Sequence, residues 1–109
     1  MSWYLFLDAN LIPEENIKWK VCRSSEEAIN YAKIYGLPRF MSLGYDLGTK
    51  NGIPDNTVDF LKKLSSKIWD QVSEPPMYRI HTQNLTEMFE IESYMDDWFR
   101  NWTPAYNKG

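Results

Sequence analysis

The 109-residue chain carries a formal net charge of −3 and 43% hydrophobic residues, with a pI near 5.1, a balance that suits one folded domain over 1–109 and argues against disorder. An acidic chain lacks the basic field that general nucleic-acid binding needs. Its single cysteine, Cys22, excludes a disulfide framework or a cysteine-based zinc site, and no apolar run reaches the roughly 18–20 residues of a membrane span.

Trp3 to Leu7 is a short apolar run, which predicts a strand buried on both faces and ended by Asp8. The start, Met1 to Asp8, has no basic lead or small-residue cleavage site, so the expected compartment is the cytoplasm. A polar loop through Pro13 follows. Ile17 to Cys22 then alternates apolar and basic residues, as a half-exposed edge strand does, with Lys18 and Lys20 guarding the edge. Cys22 is expected to be a buried hydrophobe.

Ser24 and Glu27 form a capping-box pattern before the helix Ser25–Tyr35, whose stripe is Ala28, Ile29, Ala32 and Tyr35. Gly36 and Pro38 end it. Arg39 to Leu43 reads as another buried strand, followed by a long glycine-bearing loop from Gly44 to Pro54. Asp55 or Asn56 is positioned to cap a second helix, with Val58, Leu61, Leu64, Ile68 and Trp69 facing the sheet. Ser73-Glu74-Pro75-Pro76 breaks the chain, and Met77 to Ile80 is the fourth strand, ending at His81. Asn84 or Thr86 opens a last helix to about Trp102, with Met88, Ile91, Met95, Trp98 and Trp102 on one stripe. Residues 103–109 read as a loose tail.

The order ββαβαβα predicts an α/β fold of the receiver or flavodoxin kind. Its four-stranded sheet is parallel, or mixed at one edge, and is covered by three helices. Ligands of such sheets bind beyond the carboxyl ends of the strands. Asp8, Asp46 and His81 all fall at or just past strand ends, which makes them the candidate functional set.

Leu7-Asp8, Ser25-Glu26-Glu27-Ala28, Ser42-Leu43-Gly44-Tyr45-Asp46-Leu47-Gly48 and His81-Thr82-Gln83-Asn84 occur in an order that resembles the cyclic-phosphate processing receiver-like domains. The resemblance covers nearly the whole chain. It implies action on cyclic phosphate ends of nucleotides or RNA-like products, and a small phosphorylated or nucleotide-like ligand as partner. The chain departs from the family pattern at Ala9, where a second acid is expected, and at Leu11, near an expected arginine. Gly44-Tyr45-Asp46 stands for Asp-His-Asp, and Gly44 replaces a phospho-acceptor.

On this resemblance Asp8, Asp46 and His81 are the catalytic set, with His81 the acid or base. Asp8 and Asp46 either orient His81 or hold a hard cation such as Mg²⁺. Ser42, Gly44, Tyr45, Gly48, Lys50, Gly52, Thr82 and Asn84 are the ligand-contacting residues, supplying backbone amides, a cation and a helix N-terminus. Two classes of function remain open. One is a phosphoesterase with a reduced catalytic set. The other is a pseudoenzyme that sequesters such a ligand or binds a protein partner through exposed Trp and Tyr.

Overall fold

The computed structural model describes residues 2–66 and 74–102. The strands are β1 (Tyr4–Leu7), β2 (Trp19–Cys22), β3 (Phe40–Leu43), β4 (Asp46–Lys50), β5 (Ile53–Asn56) and β6 (Met77–Ile80). The helices are α1 (Ser25–Tyr35), α2 (Thr57–Ser65) and α3 (Leu85–Asn101). The main sheet has the order β2-β1-β3-β6 and every pairing in it is parallel. The expected α/β fold with three helices and a four-stranded sheet is therefore present, with β2 at an edge. Ile68, Trp69, Ser73 and the tail 103–109 lie outside the described residues.

The crossovers explain where the helices go. The connections β2–α1–β3 and β3–α2–β6 both advance in the same direction across the sheet, so right-handed crossovers put α1 and α2 on one face. There Leu5, Leu7, Cys22, Met41 and Leu43 meet Ala28 and Ala32 of α1, Phe60, Leu61 and Leu64 of α2, and Ile91 and Met95 of α3. α2 packs between α1 and α3. All three helices share this layer. The β1–β2 connection runs the opposite way and contains no helix, so the second face carries only that loop among the described residues.

Local signals account for the helix ends. Ser24 Oγ accepts the Glu27 amide at 3.1 Å, which caps α1, a contact worth about 1 kcal/mol. The Glu27 carboxylate takes the Arg23 amide at 2.7 Å, one residue earlier than the capping-box pattern predicts. Asn56, rather than Asp55, caps α2. Asp55 is engaged elsewhere, accepting the Ser25 amide at 2.9 Å and the Ser25 hydroxyl at 2.6 Å. Asn84 caps α3. Tyr35, placed on the buried stripe of α1, is 41% exposed.

The expected loop from Gly44 to Pro54 is largely a second, two-stranded antiparallel sheet, β4 with β5. Asn51 and Gly52 turn its corner with φ of 53° and 78°, the pair of positive angles that a tight Asn-Gly hairpin requires. The start of α2 clasps the chain just before this hairpin. The buried Thr57 hydroxyl donates to the Gly44 carbonyl at 2.6 Å, and the Thr57 amide donates to the Tyr45 carbonyl at 2.9 Å.

Thr57→Val keeps the shape and removes the donor, leaving the Gly44 carbonyl short of a partner. We expect a stability loss of about 1–3 kcal/mol, read from the midpoint of urea unfolding at unchanged m-value.

Candidate active site at the carboxyl edge

The strand register fixes the site. Leu7 lies opposite Cys22 and Leu43, and Leu43 lies opposite Ile80. Hydrogen bonding continues one residue further: the Asp8 amide donates to Cys22, the Gly44 amide to Leu7 and the His81 amide to Leu43. Arg23, Asp8, Gly44 and His81 therefore form one row across the carboxyl edge. Asp8 and His81 are separated by a whole strand, yet His81 Nε2 and Asp8 Oδ2 are 2.9 Å apart. Only a residue without a side chain permits this. A Cβ on Gly44 would stand 2.6 Å from Asp8 Oδ2 and 3.1 Å from His81 Nε2.

Each member of the pair is held from behind. Asp8 Oδ1 accepts the amides of Asn10 and Leu11, both at 2.8 Å. Arg23 Nη1 donates to the Asp8 carbonyl at 3.0 Å and also to the Leu11 carbonyl. Burial alone would raise the Asp8 pKa, but those two amides and the His81 ring outweigh it and bring the carboxyl below its ordinary value of 3.8. The His81 ring stacks on Phe6 at 4.6 Å and 4°.

On the other side of the ring, Ser42 Oγ is 2.9 Å from His81 Nδ1. Arg79 Nε donates to the same Ser42 Oγ at 2.8 Å. With Arg79 supplying that hydrogen bond, the serine proton is free to go to Nδ1, which leaves the imidazole proton on Nε2, facing Asp8. The chain Ser–His–Asp has the connectivity of a nucleophilic triad. Ser42, however, is fully buried and its oxygen already serves Arg79, so it orients the ring and does not attack substrate. Arg79 in turn lies over the Trp19 ring at 5.2 Å and forms an ion pair with Glu15 of the β1–β2 loop. A cavity of about 420 Å³ opens between that loop and the sheet, lined by Phe6, Leu11, Ile12, Pro13, Glu14, Glu15 and His81.

The other expected site residues have different neighbours. Asp46 is exposed at the start of β4, and its carboxylate accepts the Gly48 amide at 2.9 Å. Gly48 and Gly52 shape the hairpin, with φ of 86° and 78°. Lys50 pairs with Glu26 and borders a separate cavity between the hairpin and the starts of α1 and α2. The Tyr45 hydroxyl donates to Glu90 of α3, and this bond, with burial, pushes the phenol up to about 12. Thr82 Oγ1 donates to Glu87 at 2.8 Å, and Asn84 Oδ1 accepts the Glu87 amide at 3.0 Å, so both residues build the cap of α3. Cys22 is fully buried, and its thiol is pushed up to about 12 chiefly by that burial, as suits a packing residue.

The donors available to a hard cation are few. Both Asp8 oxygens are engaged, and Asp46 turns to its own hairpin. Among the described residues no group of three or more His, Cys, Asp or Glu gathers in a way that could hold a metal. The pair Asp8 and Asp46 does not fit Mg²⁺, which needs several oxygens at once. Four residues of the site were not singled out from the sequence: Phe6, Glu15, Arg23 and Arg79. Arg79 did leave a trace there, as a charge in a four-residue strand otherwise apolar or aromatic.

Two outcomes follow from the pair. Gly44→Ala pushes the Asp8 carboxylate off His81, and we expect a loss of about 1–3 kcal/mol with a shift in the His81 ring resonances by NMR. Because folded Asp8 holds its proton less tightly than unfolded aspartate, the unfolded state binds more protons between the two pKa values, and stability rises with pH there. The contribution is complete above the ordinary aspartate range and disappears as pH falls through the lowered value. Melting curves of wild type and Asp8→Asn should therefore differ most above the ordinary aspartate range and converge only as pH falls below the lowered Asp8 value.

Nothing among the curated proteins or the solved structures matches the chain. A family model does, the cyclic-phosphate processing receiver domain, over residues 3–97. That span runs from the residue before β1 to near the end of α3 and includes the whole Arg23–Asp8–Gly44–His81 row. With most of its length matched, the chain belongs to the cyclic-phosphate processing receiver domain family.

Proposed function

We propose that the chain binds a cyclic-phosphate or related nucleotide-like ligand at the carboxyl edge of the sheet, and that His81, paired with Asp8, opens the phosphate ring. The observation that carries this reading is the Asp8–His81 contact across Gly44, with His81 lining a cavity of about 420 Å³.

The anion's counterpart is Arg79. Its Nε is committed to Ser42, and its Nη1 pairs with Glu15. A phosphate entering the cavity takes the place of the Glu15 carboxylate and gains the planar guanidinium fork. Ring opening by water breaks one P–O bond and leaves an alkoxide that needs a proton. His81 carrying a proton on each ring nitrogen supplies it from Nε2–H, after turning from Asp8 to the leaving oxygen, and is left as neutral imidazole, while Ser42 Oγ accepts Nδ1–H and the Asp8 carboxylate stabilises the charged ring. The proton returns from the attacking water, so the cycle closes without a cofactor.

A second reading, a ligand-sequestering module without turnover, has its own support. Both imidazole nitrogens are already bonded within the protein, and a carboxyl held below its ordinary pKa is a weak base. Nucleoside 2′,3′-cyclic phosphates separate the two. In the hydrolytic reading, ³¹P NMR shows conversion to the linear monophosphate, and His81→Ala abolishes it while binding persists. Binding without conversion assigns the sequestering role. Absence of any melting shift across a cyclic and linear nucleotide panel overturns both. Glu15→Gln should tighten binding severalfold by freeing Arg79, and Arg79→Ala should weaken it by about tenfold or more.

A further inference from the structure

The sheet face opposite the helices, which among the described residues carries only the β1–β2 loop, continues directly from this site. Three rows of residues cross it. The first is Trp19, Tyr4, Phe40 and Met77, each opposite its neighbour in the register. The second contains Phe6, Ser42 and Arg79, and the third is the edge row that holds Asp8 and His81. All-parallel sheets are almost always covered on both faces. Here Tyr4 is 36% and Met77 65% exposed, and a cavity of about 280 Å³ is bounded by Tyr4, Trp19, Phe40, Met77, Arg39 and Arg79.

The chemistry of this face suits one kind of occupant. The rings form a continuous set: Trp19 lies 6.2 Å from Tyr4, 6.2 Å from Phe40 and 5.8 Å from Phe6. Arg39 is exposed and, among the described residues, has no carboxylate partner. Arg79 is released once its Glu15 partner is displaced. The acids of α3, Glu87, Glu90, Glu92, Asp96 and Asp97, lie in the helical layer behind the sheet. Aromatic rings flanked by arginines on an open four-stranded sheet provide what unpaired bases and their phosphates bind.

The length of the path sets the ligand's size. Four residues separate the aromatic row from the His81 row, about 13 Å at 3.3 Å per residue. A single nucleotide does not reach from its terminal phosphate to a ring that far away. We infer that the open face is a stacking platform for a short single-stranded oligonucleotide, whose terminal cyclic phosphate lies at His81 while an upstream base stacks in the Tyr4–Trp19–Phe40 row. This rests on the function proposed above and adds a second contact surface, for the bases upstream of the cyclic phosphate. It is consistent with an acidic chain, because the platform engages a few nucleotides and needs no extended basic field.

The test uses the intact chain and three probes: a trinucleotide ending in a 2′,3′-cyclic phosphate, the matching mononucleotide, and the trinucleotide with a 3′-hydroxyl. Affinities are read by calorimetry. The cyclic trinucleotide should bind at least about tenfold tighter than the mononucleotide. Phe40→Ala and Arg39→Glu should each reduce that advantage without lowering affinity for the mononucleotide, and Met77→Glu, at an exposed position, provides a variant that leaves the core intact. Equal affinity for the two cyclic probes overturns the platform and leaves the edge site standing. Binding of the hydroxyl trinucleotide alone, lost in Phe40→Ala, supports the platform and removes the cyclic-phosphate reading. No binding by any probe overturns both. A concentration-dependent dimer by sedimentation, dispersed by Met77→Glu, assigns the face to a second copy and overturns the inference.

Discussion

The absence of a side chain at residue 44 governs the arrangement of this molecule's carboxyl edge. In a parallel sheet adjacent strands stand about 4.8 Å apart, so residues two strands apart meet only when the residue between them gives up its own space. Gly44 does so, with Asp8 Oδ2 where its Cβ would nearly stand. Everything around the pair then follows. The Asn10 and Leu11 amides orient the carboxylate, Phe6 fixes the ring plane, and the Arg79–Ser42 link sets which nitrogen carries the proton. Thr57 anchors the Gly44 carbonyl from the helical layer, so the site is tied to the core of the fold.

Gly44 acts as a passage between two strands through which a carboxylate and an imidazole pair.

The helix-free β1–β2 connection has a comparable reach. Among the described residues it leaves one sheet face without a helix, brings Glu15 over Arg79, and forms with Phe6 and His81 the walls of the edge cavity. The same face carries the aromatic rows toward the amino ends of the strands. The edge row and the aromatic rows share this surface, and Arg79, touching both Ser42 and the Trp19 ring, is the side chain common to them.

Much of this was legible in the sequence. The strand runs, the Ser24 cap, the Gly36 stop, and Asp8 and His81 at strand ends depend on local patterns of one or two turns, and they reappear in the structure with shifts of one or two residues. The Asn51-Gly52 hairpin was also written there, but its flanks are polar, so the apolar alternation that marks strands was missing. Asp46, Lys50, Gly48 and Gly52 looked like site residues because they are close in sequence to Gly44. The hairpin instead gives them partners of their own. Phe6, Glu15 and Arg23 had no local mark, and Arg79 only its charge in an otherwise apolar or aromatic strand, since each acts on a residue of a different strand or loop. The sequence by itself determined which residues form strands and helices and which end at the carboxyl edge, because those depend on neighbours along the chain. The tertiary structure alone decided that Asp8 meets His81 over Gly44 and that the three helices share one sheet face, because both depend on strand order and crossover direction, which bring together residues 73 positions apart.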